Sequence, residues 1–440
     1  MHIKTTYKLL FLFLLLSLLS FPFLTKSVTA IQTIYILANG TIQPEGALIT
    51  RTGNIFTLSG NITADSIDGI VIQRNNTILE GAGYTITGNM LTGSHGIVLD
   101  RTKNVTVKNI VVKSFKNGIY GNVTSNSYIT EANLTNNDYG IRLSSSDNNT
   151  IDRNNITQST WAGIWLQNSQ YNYISRNKMT NSTSSTLSGI RLEDFSDNNI
   201  TSNYLTNCTN YGIYLDNCAS NRIFHNSFIS AGWAPAFIGS DVYTLYWDDG
   251  YPSGGNYWSD YFGVDSFSGP YQNETGKDGM GDTPHVIVGS NRDKYPLMNP
   301  WTAQETTVTV NGTVYPVTMI SNATIVRIDN TPDNLNFTVS GSSPQRAYVR
   351  VICPKEANST NLRVFINDTV LTPPFPVITS NATKYFIYFE FLLSPHQILM
   401  PFVIDEYMFG VLLALASCFA AYGIFRKHGK THGNTATTVK

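Results

Sequence analysis

The sequence predicts an all-β chain: a right-handed parallel β-helix, then a small antiparallel β-sandwich, plus one C-terminal transmembrane helix. Three observations predict it. A Gly-Ile phrase recurs seven times at nearly constant spacing. The residues after the repeat change to longer alternating strands. An apolar segment close to the C-terminus is flanked by acids on one side and bases on the other.

The phrase begins at Gly69, Gly96, Gly118, Gly140, Gly163, Gly189 and Gly212, with gaps of 27, 22, 22, 23, 26 and 23 residues. Each unit reads Gly-Ile-x-apolar, then a polar corner, then Asn-x-x-Ile or Asn-Ile phrases. Three short strands per unit with apolar residues two apart can bury one face only. Stacking units pairs each strand with its copy and closes a shared core. One after each glycine come Ile70, Ile97, Ile119, Ile141, Ile164, Ile190 and Ile213; three after come Ile72, Leu99, Gly121, Leu143, Leu166, Leu192 and Leu215. Both columns point inward. Asn149, Asn177, Asn199 and Asn221 are expected at corners, where Asn tolerates left-handed backbone and can bond its stacked copy. No stretch sustains a 3.6-residue period, which excludes a helical solenoid.

Composition narrows the function classes. The chain has 440 residues, a formal net charge of −1 and 13% charged residues. No basic patch points to nucleic acid. Lys4 and Lys8 precede an apolar run from Leu9 to Leu24, and Val28 and Ala30 fit a cleavage site after Ala30. Tyr407 to Phe425 is long enough to cross a bilayer. Asp405 and Glu406 precede it; Arg426, Lys427 and Lys430 follow it. The expected organisation is a signal peptide at 1–30, an N-terminal cap at 31–66, β-helix repeats at 67–238 and a C-terminal cap at 239–301. A β-sandwich stalk at 302–400, a transmembrane helix at 401–425 and a cytoplasmic basic tail at 426–440 complete it. The bulk of the chain would then be extracellular on a single-pass anchor. Asn-x-Ser/Thr triplets, with Asn39, Asn104, Asn155, Asn311 and Asn381 among the glycosylation candidates, agree with export.

The four cysteines form no framework. Cys208 and Cys218 flank one strand; a disulfide and two free thiols inside corners are both open, the corner positions favouring thiols. Between 302 and 400 the strands "ETTVTVNGTVYPVTMI", "ATIVRIDN", "LNFTVSG", "AYVRVICP", "LRVFINDTVL" and "KYFIYFEFLL" read as an immunoglobulin-like sandwich. This part resembles membrane-proximal sandwich modules of archaeal surface proteins, and reads as a spacer.

The coils, together with "GGNYWSDYFGVD" from Gly254 and "GKDGMGDTPHVIVGSNRDKYPLMNP" from Gly276, resemble the right-handed β-helix family named after NosD, over roughly residues 66–300. That family's namesake is periplasmic and linked to copper-site assembly. The same repeat class includes carbohydrate-binding proteins and sugar hydrolases. The resemblance implies a β-helix and an exported setting. It does not carry copper onto this chain: His95, His225, His285 and His396 are scattered, and no His-x-His, Met-rich or Cys-x-x-Cys run appears. Asp260, Asp265, Asp278 and Asp282 lie among glycines, a composition that suits a folded cap with Asp turns first and structural Ca²⁺ second.

The outward column two after each glycine holds Tyr120, Arg142, Trp165, Arg191 and Tyr214. At about 4.8 Å per coil these should form one stripe. Aromatic faces stack on sugar rings, and Arg bonds hydroxyls. The stripe is therefore a candidate glycan-binding surface; protein contact and plain surface packing compete with it. Glu193 and Asp216, one coil apart, approach the roughly 5–5.5 Å spacing of a retaining glycosidase pair. The expected function is non-catalytic glycan binding or adhesion at the cell surface. A polysaccharide lyase or glycoside hydrolase is the first alternative and copper handling the second. No cofactor is required beyond a possible structural Ca²⁺.

Overall fold

In the computed structural model, the described residues are 32–402 apart from 65–67, 181–187, 195, 230–231, 240–243, 342–345, 358–361 and 393. They fall into two compact units that meet at Thr302/Ala303. The expected signal peptide, membrane span and basic tail lie outside the described residues. Among the described residues no helix is long and apolar enough to cross a membrane.

The first unit is a parallel β-helix with one ten-stranded and two nine-stranded sheets. Successive coils pair without slip, as in Ile119↔Ile141, Ile141↔Ile164 and Ile164↔Ile190. The two inward columns are the core: Ile97, Ile119, Ile141, Ile164, Ile190 and Ile213 are all 0% exposed. The repeated glycine is demanded by packing, not by a left-handed backbone. A Cβ on Gly140 would lie 2.6 Å from the Gly163 carbonyl oxygen and 2.5 Å from Ile156 Cγ2.

The coil begins earlier than the repeat phrase suggests. Within the stretch expected to cap the helix, Ile34–Ile36, Ile55–Leu58 and Ile62–Thr63 each pair in parallel with the first Gly-Ile coil. The phrase is absent there because Thr33 stands in the glycine column. Residues 42–52 then turn antiparallel onto both sheets and close this end.

The corners correct one expectation. Two buried asparagine ladders run along the helix. Asn149, Asn172, Asn198 and Asn221 form one; Asn154, Asn177, Asn203, Asn226 and Asn256 form the other. Each backbone N–H and most side-chain amides donate to the Oδ1 of the next coil. Asn199 is not a rung; its neighbour Asn198 is, while Asn199 starts a strand. Nor are the rungs left-handed. That conformation belongs to the residue before the rung in every coil but the last, as at Asn148 (φ 59°), Arg176 (52°), Asp197 (62°), Ser220 (55°) and His225 (58°). The turn residue takes the backbone cost so that the Asn side chain can point inward. Cys208 and Cys218 are free, buried thiols, each pushed up to about 12 by burial.

After Ile238 the chain closes the far end. Tyr257–Trp258 joins one nine-stranded sheet, and Trp247 and Trp258 plug the core. Asn256, the last rung, donates its N–H to Asp293, which also accepts from Trp258 Nε1 and the Tyr295 N–H.

The second unit is two five-stranded antiparallel sheets around one core that includes Val317, Val351, Phe389, Phe337 and Ile398. The stretch "ETTVTVNGTVYPVTMI" is two strands, Ala303–Val310 and Thr313–Ser321, folded about Asn311 and Gly312. Both turn residues have positive φ (49° and 80°), the geometry of a type I′ hairpin that Asn-Gly favours.

Replacing Asn198 with Ala should strand the Asn172 N–H in the core and remove one of the three acceptors of its side-chain amide, at a cost of about 1–3 kcal/mol. Replacing Asn199 should cost less than about 0.5 kcal/mol. Urea unfolding midpoints of the two variants check the ladder register.

Candidate functional site: the outer face of the ten-stranded sheet

Register places the five stripe residues side by side. Tyr120 pairs with Arg142, Arg142 with Trp165, Trp165 with Arg191, and Arg191 with Tyr214. Phe237 extends the row and stacks on Tyr214 at 4.8 Å. Before Tyr120 the same column holds Val71 and Val98, which are nearly covered. All five predicted residues are half-buried.

The arginines and rings interleave. The Arg142 guanidinium lies 4.0 Å from the Trp165 ring centre, and Arg191 lies 4.5 Å from Tyr214 and 5.7 Å from Trp165. Each such contact is worth about 0.5–1 kcal/mol at an exposed site. Ring faces along the row are therefore turned to neighbouring side chains. The row offers solvent ring edges and guanidinium edges rather than flat platforms.

The platforms come from residues the single-column reading missed. The column just before the glycine carries His95, Tyr139 and Tyr211, and these pack on the stripe: His95 on Tyr120 at 4.7 Å, Tyr139 on Trp165 at 5.0 Å, Tyr211 on Phe237 at 4.9 Å. One residue earlier still stand Trp161 and Trp233, 41% and 78% exposed. Trp233 meets Tyr211 edge-on at 6.5 Å, and the Lys116 ammonium lies near both Trp161 and Tyr139. Reading every column outside the core, instead of one, would have found them. Trp233 has a further mask: Pro235 occupies the glycine column of its coil.

The charged groups are mostly engaged. Glu193 accepts from Trp165 Nε1 at 3.0 Å and from Arg191 Nε at 2.9 Å. Lys116 pairs with Asp138 at 2.8 Å. Asn122 donates to Asp100 at 2.8 Å. Arg142 donates from Nη2 to Gln167 at 3.1 Å, and its buried Nε has no partner. Burial lowers the His95 pKa, against the pull of Asp68, and the Arg142 charge adds to the fall.

Glu193 and Asp216 do pair in register. Glu193 is a strut, holding a ring and a guanidinium, so the pair does not present two free acids.

The four cap aspartates are dispersed onto backbone and side-chain groups. Asp265 accepts from the Asp278 and Gly279 N–H groups, and Asp278 from Met280 N–H and Gln272 Nε2. Asp282 accepts from the Ser266 and Phe267 N–H groups, and Asp260 faces His285 at 3.6 Å. Burial and the Asp278 charge push Asp265 up to about 7. Among the described residues no three His, Cys, Asp or Glu side chains gather as a metal site. All five glycosylation candidates are exposed.

Burial also pushes Asp293 up to about 7. Its folded pKa lies above the unfolded value near 3.8. The folded state thus holds the proton more tightly, and stability falls as pH rises from about 4 through 7. Thermal unfolding should therefore occur at higher temperature at pH 5 than at pH 8. Asp293→Asn should reduce that difference; an unchanged pH slope in differential scanning calorimetry would assign it elsewhere.

A family model described as periplasmic copper-binding protein (NosD) matches residues 32–263. It starts at the first coil, earlier than the sequence motifs suggested, and stops before the glycine-rich segment at 276. No curated protein matches the chain. Among solved structures, the periplasmic alginate epimerase AlgG is 19% identical with a TM-score of 0.32, over 43% of this chain and 51% of that one. Pectate lyase Pel9A is 11% identical with a TM-score of 0.28, over 53% and 71%. Tailspike protein 2 of bacteriophage CBA120 is 12% identical with a TM-score of 0.29, over 78% and 61%. The chain thus spans about half the length of the epimerase. Likenesses this distant carry no argument about activity.

Proposed function

The chain belongs to the NosD family, and from that premise we propose that it is an exported β-helix that binds glycans without cleaving them. The observation that carries the reading is the aromatic and arginine face of the ten-stranded sheet. It runs from Tyr120 to Phe237 and is bordered by the open rings of Trp161 and Trp233. A long, nearly flat face suits a chain-like ligand. Open indoles stack on the apolar faces of sugar rings, while guanidinium and amide edges bond hydroxyls. Arg142, Arg191, Gln167 and Asn122 supply those edges.

The N-terminal run from Leu9 to Leu24 and the apolar segment from Tyr407 to Phe425 support export and a single C-terminal anchor. The sandwich unit, in which no three His, Cys, Asp or Glu side chains gather among the described residues, suits a spacer role.

Copper, named in the family description, does not fit the described residues. His225 bonds the Ser253 carbonyl and stacks on Trp301; His285 packs against Trp258; His396 bonds Asn367 and Ser394. No two of them share a site, whereas copper calls for several soft or imidazole ligands together.

The test is a glycan array probed with the full chain. Trp161→Ala and Trp233→Ala should each weaken binding by about 1 kcal/mol, near fivefold. Lys178→Gln, on another sheet, should leave binding intact. Release of new reducing ends from a bound polysaccharide, abolished by Glu193→Gln, would replace the binder with an enzyme.

A further inference from the structure

We infer that the ligand of this face is an acidic glycan whose carboxylate or sulfate ester is read by Arg142. The inference rests on the glycan reading and names its substrate class. It comes from a difference between cations along the same face. Arg191 is neutralised within its own strand by Glu193, and Lys116 by Asp138 in the next coil. Among the described residues Arg142 has no acidic partner. Its only hydrogen bond among the described residues goes to the neutral amide of Gln167, and its Nε is buried without one there.

The surroundings of Arg142 are neutral by column. In the next outward column its own coil and both neighbours carry Asn122, Ser144 and Gln167. In the column before the glycine they carry Asn117, Tyr139 and Ala162. The acids of that outward column, Asp100 and Glu193, lie two coils away on either side. That is about 10 Å at the spacing of stacked strands, near one Debye length. Both are already engaged, by Asn122 and by Arg191 with Trp165.

A half-buried guanidinium without a counter-charge is costly unless an anion completes it. Stacking on Trp165 fixes the plane of the fork. An ordered, planar fork is the arrangement that takes a carboxylate or sulfate oxygen pair. Tyr120, Tyr139 and Trp165 surround the fork, so the charged group would arrive on a ring that contacts aromatic edges. A neutral glycan would be served by amides such as Asn122 and Gln167 and would leave the charge unmatched.

The experiment compares matched polymers on the immobilised full chain: polygalacturonate against its methyl ester, and dextran sulfate against dextran. The charged member of at least one pair should bind about tenfold more tightly, and added salt should erase the advantage. The pair that shows it tells carboxylate from sulfate. Arg142→Gln should remove the preference while keeping neutral binding, and Arg142→Lys should keep part of it. Lys178→Gln, an exposed cation on another sheet, should change nothing. Equal binding within both pairs overturns the acidic ligand and leaves the glycan reading standing. So does an equal loss in Lys178→Gln, which would mark diffuse charge attraction. Binding to no polymer at all removes the glycan reading with it. The wild-type comparison and its salt dependence need no variant to fold.

Discussion

Parallel strands stacked coil on coil without slip impose one rule on every side chain of the first unit: a residue's neighbours are its own column, a coil above and a coil below. A one-residue slip would turn the isoleucine columns outward and the stripe inward. The buried asparagine ladders resist that slip. Each rung satisfies the backbone N–H of the rung before it, so a shifted coil would leave donors unpaired in the core. The 27-residue gap from Gly69 to Gly96 is tolerated because its longer connection, residues 88–94, falls between strands, outside the three paired faces.

The same rule shapes the outer face. Because Arg142, Trp165 and Arg191 occupy successive coils, the Trp165 ring is sandwiched by two guanidinium groups. What reaches solvent is an edge chemistry of donors, with Trp161 and Trp233 as the open surfaces at its border. Charge compensation then differs coil by coil. Arg191 has Glu193 two residues on; Arg142 has Ser144 at the equivalent place, and the next coil offers Gln167. Two arginines of one column are thereby given different chemistry.

The far end closes by the same logic. A ladder of amides needs a final acceptor, and Asp293 supplies it while also taking the Trp258 indole N–H that seals the core. The glycine-rich cap holds Asp265, Asp278 and Asp282 on loop N–H groups, so these carboxylates brace its turns.

Sequence alone determined the period, and with it the coils, the inward isoleucines and the row from Tyr120 to Tyr214, because a repeated phrase on a stacked fold leaves little freedom of register. It also marked the change to a sandwich after the last coil. It missed what breaks the phrase: the first coil, where Thr33 replaces glycine; Trp233, beside Pro235; and the hairpin at Asn311-Gly312 inside an apparently continuous strand. It misassigned Asn199 for Asn198, since two adjacent asparagines look alike until one is seen to turn inward. Only the tertiary structure decided which ring faces are covered and which cation is left without an acid. Those depend on side chains from different coils, separated by unequal stretches of chain, meeting at a few ångströms.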